Sequence, residues 1–156
     1  MLKRILSKKL KALALKFPVI SVIGPRQSGK TTLVKNVFPD KDYAILEDLD
    51  TREFALNDPR GFLATYSKGA IIDEVQRVPA LFSYIQTAVD RSNKAGQFIL
   101  TGSQNILLQE NISQTLAGRI AILKLLPFSL EELKSTKYEP DNAEEYIFTG
   151  SYPRIY

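Results

Sequence analysis

The chain of 156 residues contains no cysteine, no histidine and no tryptophan. Without cysteine it can form neither a disulfide nor a thiolate nucleophile, and without histidine it lacks serine–histidine triads and the usual zinc sites. Proton transfer must therefore use carboxylates, lysine, tyrosine or water. No apolar run approaches the ~20 residues that span a bilayer, and the N-terminus lacks the uninterrupted apolar stretch of a secretory signal. We therefore expect a cytoplasmic protein with no membrane span.

Acidic residues are absent from the first 39 positions, which hold nine lysines and arginines. The rest of the chain carries twelve basic and seventeen acidic residues, so the net charge of +4 comes from the N-terminal part. Residues 2–16 predict a basic amphipathic helix. One explanation is contact with DNA or a membrane surface. The other, which the ordinary pattern of surface helices favours, is a helix packed on the edge of a sheet with its lysines in water.

Residues 24–31 fit the phosphate-binding pattern G-x-x-x-x-G-K-[ST]. An apolar run at 17–23 predicts a strand before this loop, and the spacing at 32–38 predicts a helix after it. In that context backbone N–H groups converge on phosphates at a helix N-terminus, Lys30 reaches the β- and γ-oxygens, and Thr31 ligates Mg²⁺. The predicted nucleotide-binding residues are Gly24, Pro25, Arg26, Gln27, Ser28, Gly29, Lys30, Thr31 and Thr32.

Strand patterns alternate with helix patterns along the remaining chain. This alternation predicts an α/β fold with a five-stranded, mainly parallel sheet that is covered on both faces, with the functional site at the carboxyl ends of the strands. The later strands are expected at 43–46, 69–74, 97–101 and 120–126, and the helices at 51–57, 58–66, 79–90, 104–117 and 143–149. Ser129 and Glu132 predict a capping box.

Asp73 and Glu74 end the third predicted strand, as a Walker B motif does. Asp73 would hold Mg²⁺ directly or through water, and Glu74 would polarise the water that attacks the γ-phosphate. The alternative for Glu74 is a strand-end acid with no special role. A small-molecule kinase transfers phosphate to a substrate hydroxyl and needs no such glutamate, so the pair favours a hydrolytic enzyme.

Thr101 and Ser103 follow the fourth predicted strand. Either hydroxyl could hydrogen-bond the attacking water or the γ-phosphate, or could instead cap the next helix. For Thr101 the first role is slightly favoured, and for Ser103 the two alternatives stay open.

Six phrases occur in order along the chain: GPRQSGKTTL, DPRGFL, IIDEVQRVP, ILTGSQN, LAGRI and LPFSLEEL. Together they resemble the AAA_14 family, the ATP-binding part of bacterial and archaeal AAA-like ATPases. The resemblance implies a three-layer P-loop NTPase fold of the AAA+/ASCE type, with ATP and Mg²⁺ as ligands and Glu74 as the hydrolytic residue. We divide the chain into an N-terminal helix (1–17), an ATPase core (18–127) and the start of a lid or C-terminal region (128–156).

The resemblance also gives Arg119 a possible role. In AAA+ ATPases an arginine at this place reaches the nucleotide of a neighbouring subunit, which implies a homo-oligomer. The alternative is that Arg119 satisfies helix-terminal carbonyls after a glycine cap. In the same relatives a turn like residues 150–153 opens the lid near adenine.

The leading hypothesis is an ATPase that hydrolyses Mg-ATP to ADP and phosphate to drive or gate a conformational change, slowly in this short form. The alternative is a nucleotide-gated DNA-binding or regulatory switch module with little turnover. A DNA or protein partner would bind through residues 1–16 or through the C-terminal region that family members carry. The predicted catalytic residues are Glu74, Lys30, Thr101, Ser103 and Arg119, and the predicted metal ligands are Thr31 and Asp73.

Overall fold

A five-stranded sheet forms the centre of the computed structural model, which describes residues 2–103 and 115–155. The strand order is β2-β3-β4-β1-β5, and every pairing is parallel. The predicted α/β fold is thereby confirmed, with β4 between the strand that precedes residues 24–31 and the strand that ends in Asp73. The strands are β1 (Val19–Ile23), β2 (Asp42–Ile45), β3 (Ala70–Asp73), β4 (Phe98–Gly102) and β5 (Ile120–Lys124).

Helices cover both faces of the sheet. They are α1 (Leu6–Ala14), α2 (Lys30–Val37), α3 (Leu49–Asn57), α4 (Pro59–Thr65), α5 (Leu81–Ser92), α6 (Leu130–Leu133) and α7 (Ala143–Thr149), with 3₁₀ turns at Val75–Arg77 and Pro153–Ile155. The predicted helix at 104–117 lies almost wholly outside the described residues. Among the described residues no helix is long and apolar enough to cross a bilayer.

Two hydrophobic cores lie on opposite faces of the sheet, because successive strand residues point to opposite sides. On one face α1 and α2 pack with Ile20, Ile71 and Ile99. On the other face α3, α4 and α5 pack with Ala70, Ile72, Phe98 and Leu100. The predicted apolar stripe of α1 faces the first core, and its lysines are exposed.

Several helices begin at other residues than the sequence predicted, and for two of them hydrogen bonds give the reason. The N-terminal helix begins at Leu6 rather than Leu2: residues 2–4 have no regular secondary structure, and Arg4 is hydrogen-bonded to the loop at Ser28. The helix predicted from Thr51 begins at Leu49, because Asp48 accepts a hydrogen bond of 3.0 Å from the Thr51 N–H and so caps it.

The capping box at Ser129 and Glu132 is confirmed, since both of its reciprocal hydrogen bonds are present. It begins α6 directly after the chain leaves the sheet at β5. Asp58 also caps α4 as predicted, with Pro59 in the first helical position.

The strand register brings the predicted site residues to one edge of the sheet. Ile23 lies beside Gly102 and Lys124, and Ile45 lies beside Asp73. The residues that follow these strands therefore converge at the carboxyl edge, where open α/β sheets bind ligands.

Candidate functional site

Residues 24–31, the glycine loop, connect β1 to α2 and are shaped by close backbone contacts. A side chain at Gly24 would overlap the carbonyl of Leu125, so the exit of β5 requires a glycine there. Gly29 has a φ of 88° and forms the N-cap of α2. Ser28 closes the loop through its hydroxyl, which donates to the Pro25 carbonyl at 2.9 Å.

Lys30 is 6% exposed and its ammonium group lies inside the glycine loop. Nζ donates to the carbonyl oxygens of Pro25 at 2.8 Å and Gly24 at 3.2 Å. Burial lowers the pKa of Lys30, while the carboxylates of Glu74 and Asp73 oppose that shift. The lysine therefore provides a desolvated positive charge at the point where the loop meets α2.

Asp73 is 3% exposed and accepts hydrogen bonds from four groups of the described chain. Oδ2 accepts from the hydroxyls of Thr31 and Tyr43, each at 2.7 Å. Oδ1 accepts from the Thr101 hydroxyl and from the Glu74 N–H. Because a carboxylate has about four acceptor positions, this buried charge is fully satisfied by hydrogen bonds.

Glu74 occupies an unusual backbone conformation directly after β3. Its φ of 58° and ψ of 41° are left-handed, which is uncommon for a residue with a side chain. Its Oε2 accepts a hydrogen bond of 2.5 Å from Nε2 of Gln76. The other polar atom of that amide, Oε1 of Gln76, is buried and has no partner among the described residues.

A cavity of about 400 Å³ lies over the glycine loop. Six of the nine predicted nucleotide-binding residues line it, together with Glu47, Glu74 and Arg154. The six are Arg26, Gln27, Gly29, Lys30, Thr31 and Thr32. A second cavity, of about 1010 Å³, lies between residues 2–11, α2 and Phe128. Gly29 and Thr32 line both cavities, so the two are neighbours at the start of α2.

Other predicted residues lie in different places. Thr101 is buried at the end of β4 with its hydroxyl bonded to Asp73, and Ser103 follows as a half-buried residue. Arg119 precedes β5 at the opposite, amino edge of the sheet. There it forms a two-pronged ion pair with Asp90, and Nη1 donates to the Ala117 carbonyl at 3.1 Å. The carbonyl contact is the one that the alternative role predicted.

Sequence reasoning missed Tyr43 and Arg154 and gave Gln76 no role. Tyr43 reaches Asp73 because positions 43 and 45 share a face of β2 and position 45 pairs with Asp73. Burial and the hydrogen bond to Asp73 raise the pKa of Tyr43 well above its usual value, so its hydroxyl stays a donor. A correct strand pairing would have revealed Tyr43, whereas Arg154 comes from a 3₁₀ turn far along the chain.

The comparisons with known proteins agree with this geometry. The AAA_14 model, described as an AAA domain, matches residues 16–134. The uncharacterized proteins Mb2031c of Mycobacterium bovis and Rv2008c of Mycobacterium tuberculosis are each 34% identical to this chain over 122 residues. The match covers 76% of this chain and 27% of each relative. The chain thus spans about a quarter of the length of these curated relatives.

Solved structures share the fold at low sequence identity. AMPPCP-bound DnaA from Aquifex aeolicus has a TM-score of 0.63 at 16% identity, over 96% of this chain and 56% of DnaA. The Walker-type ATPase PABY2304 of Pyrococcus abyssi has a TM-score of 0.54 at 17% identity, over 86% of this chain and 57% of that protein. Since the family match takes in the glycine loop, the Asp73 strand end and β5, this chain belongs to the AAA_14 family and is a P-loop ATPase-like AAA domain.

Proposed function

We propose that this domain binds Mg-ATP and hydrolyses it to ADP and phosphate, and that turnover drives or gates a conformational change. The hydrogen bond of 2.7 Å from Thr31 Oγ1 to Asp73 Oδ2 carries the proposal. It joins the end of the glycine loop to the carboxylate at the end of β3, beside the cavity that Lys30 and Glu74 line. Phosphoryl transfer depends on such positioned charges more than on covalent help from the protein.

Lys30 would hold the phosphates by exchanging partners. Its ammonium group now donates to two loop carbonyls, and phosphate oxygens would replace these acceptors with negatively charged ones. The ammonium group is charged in both cases, but phosphate adds an opposite charge that the carbonyls lack, and this attraction is strong in a desolvated site, so the exchange favours the bound state. The backbone N–H groups at the start of α2 would add donors that have no partner within the helix.

The hydroxyl of Thr31 and the carboxylate of Asp73 suit Mg²⁺, which prefers oxygen ligands. When bound, Mg²⁺ would supply positive charge that offsets the negative charge of the phosphates. Thr31 donates its proton to Asp73 and keeps two lone pairs, so its oxygen can be a direct ligand. Asp73 already uses its four acceptor positions, so contact with Mg²⁺, directly or through water, would require one of its present donors to yield its place.

Glu74 would accept the proton of the attacking water. Glu74 and Lys30 line the same cavity, so a water molecule beside the γ-phosphate would lie close to the Glu74 carboxylate. Gln76 fixes one carboxylate oxygen through its amide N–H, which leaves the other oxygen for the water. Orientation of this kind lowers the barrier because the base need not reorganise during the reaction.

The second cavity supports a nucleotide rather than phosphate alone. At about 1010 Å³ it has room for a base and ribose, and it shares the lining residues Gly29 and Thr32 with the smaller cavity. Its walls include apolar side chains such as Leu33, Val37 and Phe128, as small-molecule pockets generally do.

The test measures nucleotide binding and phosphate release on the same samples, with Mg²⁺, at several protein concentrations. Lys30→Ala should abolish binding, and Glu74→Gln should keep binding while release stops. Lys94→Ala, an exposed position outside both cavities, is the control and should match the wild type. Wild-type release by the Glu74→Gln variant would disprove the assigned base, and ATP binding by Lys30→Ala would disprove the site.

One observation favours a second role in DNA binding. The lysines of the N-terminal segment at positions 3, 8, 9, 11 and 16 are exposed, and no ion pair to another described residue neutralises them. Such a surface would give DNA affinity that falls steeply with salt. Replacing Lys9 and Lys16, which line neither cavity, by alanine together should lower that affinity and leave ATP binding intact; unchanged DNA affinity would exclude this surface.

A further inference from the structure

Arg4 lies before α1, yet its guanidinium group is packed against the glycine loop. Nη1 donates to the Ser28 carbonyl at 3.1 Å, and Nη2 donates to the carbonyls of Leu126 and Pro127. Nε pairs with Glu132 at 3.1 Å, and the side chain of Arg4 is only 10% exposed. The guanidinium carbon also lies 4.3 Å from the ring centre of Phe128. An arginine from the N-terminus thus fixes a backbone group inside the predicted phosphate site.

The Ser28 carbonyl and the Gly29 N–H belong to one peptide unit. In a trans peptide these two groups point in opposite directions, and the described chain has no cis peptide bond. Because Arg4 holds the carbonyl on its own side, the N–H of Gly29 points away from Arg4. Gly29 lines the 400 Å³ cavity and caps α2, so this N–H is one of the donors available to an anion there.

The same peptide could adopt the opposite orientation without this contact. Gly29 has a φ of 88°, and glycine populates positive and negative φ about equally. A reversed peptide would place the Ser28 oxygen, rather than the Gly29 N–H, toward the phosphates. The guanidinium group also polarises the peptide, which makes the N–H a stronger donor.

We propose that Arg4 is a positioning residue for phosphate binding, which holds the Ser28–Gly29 peptide so that its N–H faces the β-phosphate. The inference rests on the proposed function, because it assigns a task in the same nucleotide site. It also predicts that the segment before α1 is part of that site rather than a passive lead into the helix.

A role in stability alone is the competing explanation, since Arg4 joins several segments. Glu132→Gln separates the two explanations. It removes the ion pair to Arg4, but it leaves the Arg4–Ser28 hydrogen bond in place. Both Arg4→Ala and Glu132→Gln should lower the melting temperature, but only Arg4→Ala should impair recognition of the β-phosphate.

The experiment titrates the full chain with ADP, AMP and inorganic pyrophosphate and compares the ratio of ADP to AMP affinity. AMP is the reference because it lacks the β-phosphate. Arg4→Ala should lower the ratio of ADP to AMP affinity, and the affinity for pyrophosphate, about tenfold or more, as expected for a hydrogen bond to a charged group; the ratio is the readout because Arg4 also lines the larger cavity. Glu132→Gln and Lys94→Ala should keep the wild-type ratio. Arg4→Lys, which can still donate to the carbonyl, should recover part of the loss and carries the test if Arg4→Ala is unfolded at the assay temperature.

An unchanged ADP-to-AMP ratio in the Arg4 variants would overturn the inference and leave the proposed function standing. An equal loss in Glu132→Gln would also overturn it, because the effect would then follow stability. Failure of the wild type to bind ADP or pyrophosphate would instead refute the proposed function itself.

Discussion

Replacing Tyr43 by phenylalanine tests whether the buried Asp73 carboxylate depends on its hydrogen bonds. The change removes one hydroxyl, which donates to Oδ2 of Asp73 at 2.7 Å. The ring remains, together with its contact to the Lys35 ammonium group 3.3 Å from the ring centre. The effect should therefore report the hydrogen bond rather than lost packing.

The expected loss of unfolding free energy follows from the burial of Asp73. At 3% exposure the carboxylate cannot replace the lost donor with bulk water, although Thr31, Thr101 and the Glu74 N–H still donate to it. A hydrogen bond to a charged group contributes about 1.5–3 kcal/mol, so we expect a loss of about 2 kcal/mol. For a domain near 150 residues this corresponds to a fall in Tm of about 4–8 °C.

Urea unfolding of three matched variants gives the measurement. Tyr146→Phe removes a hydrogen bond of 2.8 Å to the neutral Phe128 carbonyl, so about 1 kcal/mol is expected. Tyr84→Phe removes a hydroxyl that forms no hydrogen bond with another described residue, so its loss of unfolding free energy should be near zero. The order of destabilisation should be Tyr43, then Tyr146, then Tyr84. A Tyr43→Phe protein as stable as the Tyr84→Phe protein would refute the reasoning.

Four further substitutions test other parts of the molecule. Gln76→Leu removes both the partner of the proposed catalytic carboxylate and an unpartnered buried oxygen, so phosphate release should fall while ATP affinity and urea stability stay equal or rise. Arg119→Ala and Asp90→Ala should each leave stability in urea nearly unchanged, as for an exposed ion pair; slower release with Arg119→Ala alone would indicate action on a second subunit. Gly24→Ala should lower stability by more than about 2 kcal/mol in urea unfolding, because the new methyl overlaps the Leu125 carbonyl.

The sequence predicted the framework of the site because its signals are local. The glycine loop combines a strand, fixed glycine positions and a helix within one short stretch, and the register confirms that Asp73 and Thr101 end strands at the same edge. The alternation of strand and helix patterns also predicted a sheet with helices on both faces, because each strand directs successive residues toward two apolar cores. The ATPase-like fold could therefore be predicted from patterns within single segments.

Contacts between distant segments could not be predicted in the same way. Arg4 meets Glu132 across 128 positions, and Tyr43 meets Asp73 across 30. Nothing in a lysine-rich N-terminus distinguishes the one arginine that is buried from neighbours in water. The partners of Arg4 lie where β5 ends and α6 begins, and their position next to Arg4 is determined only when the whole sheet is assembled.

Backbone strain gives a further reason to place function at this edge of the sheet. Gln27 and Glu74 are non-glycine residues with φ near 60°, and each lines the cavity over the glycine loop. Conformations of this kind cost about 1–3 kcal/mol each and persist only where the surrounding contacts hold them. At Glu74 the contacts are the N–H bond to Asp73 and the Gln76 amide. A strand-end acid with no task would relax to an ordinary conformation at little loss of contacts. Strain that is held by Asp73 on one side and a buried amide on the other instead supports the proposed role of Glu74 as a fixed base.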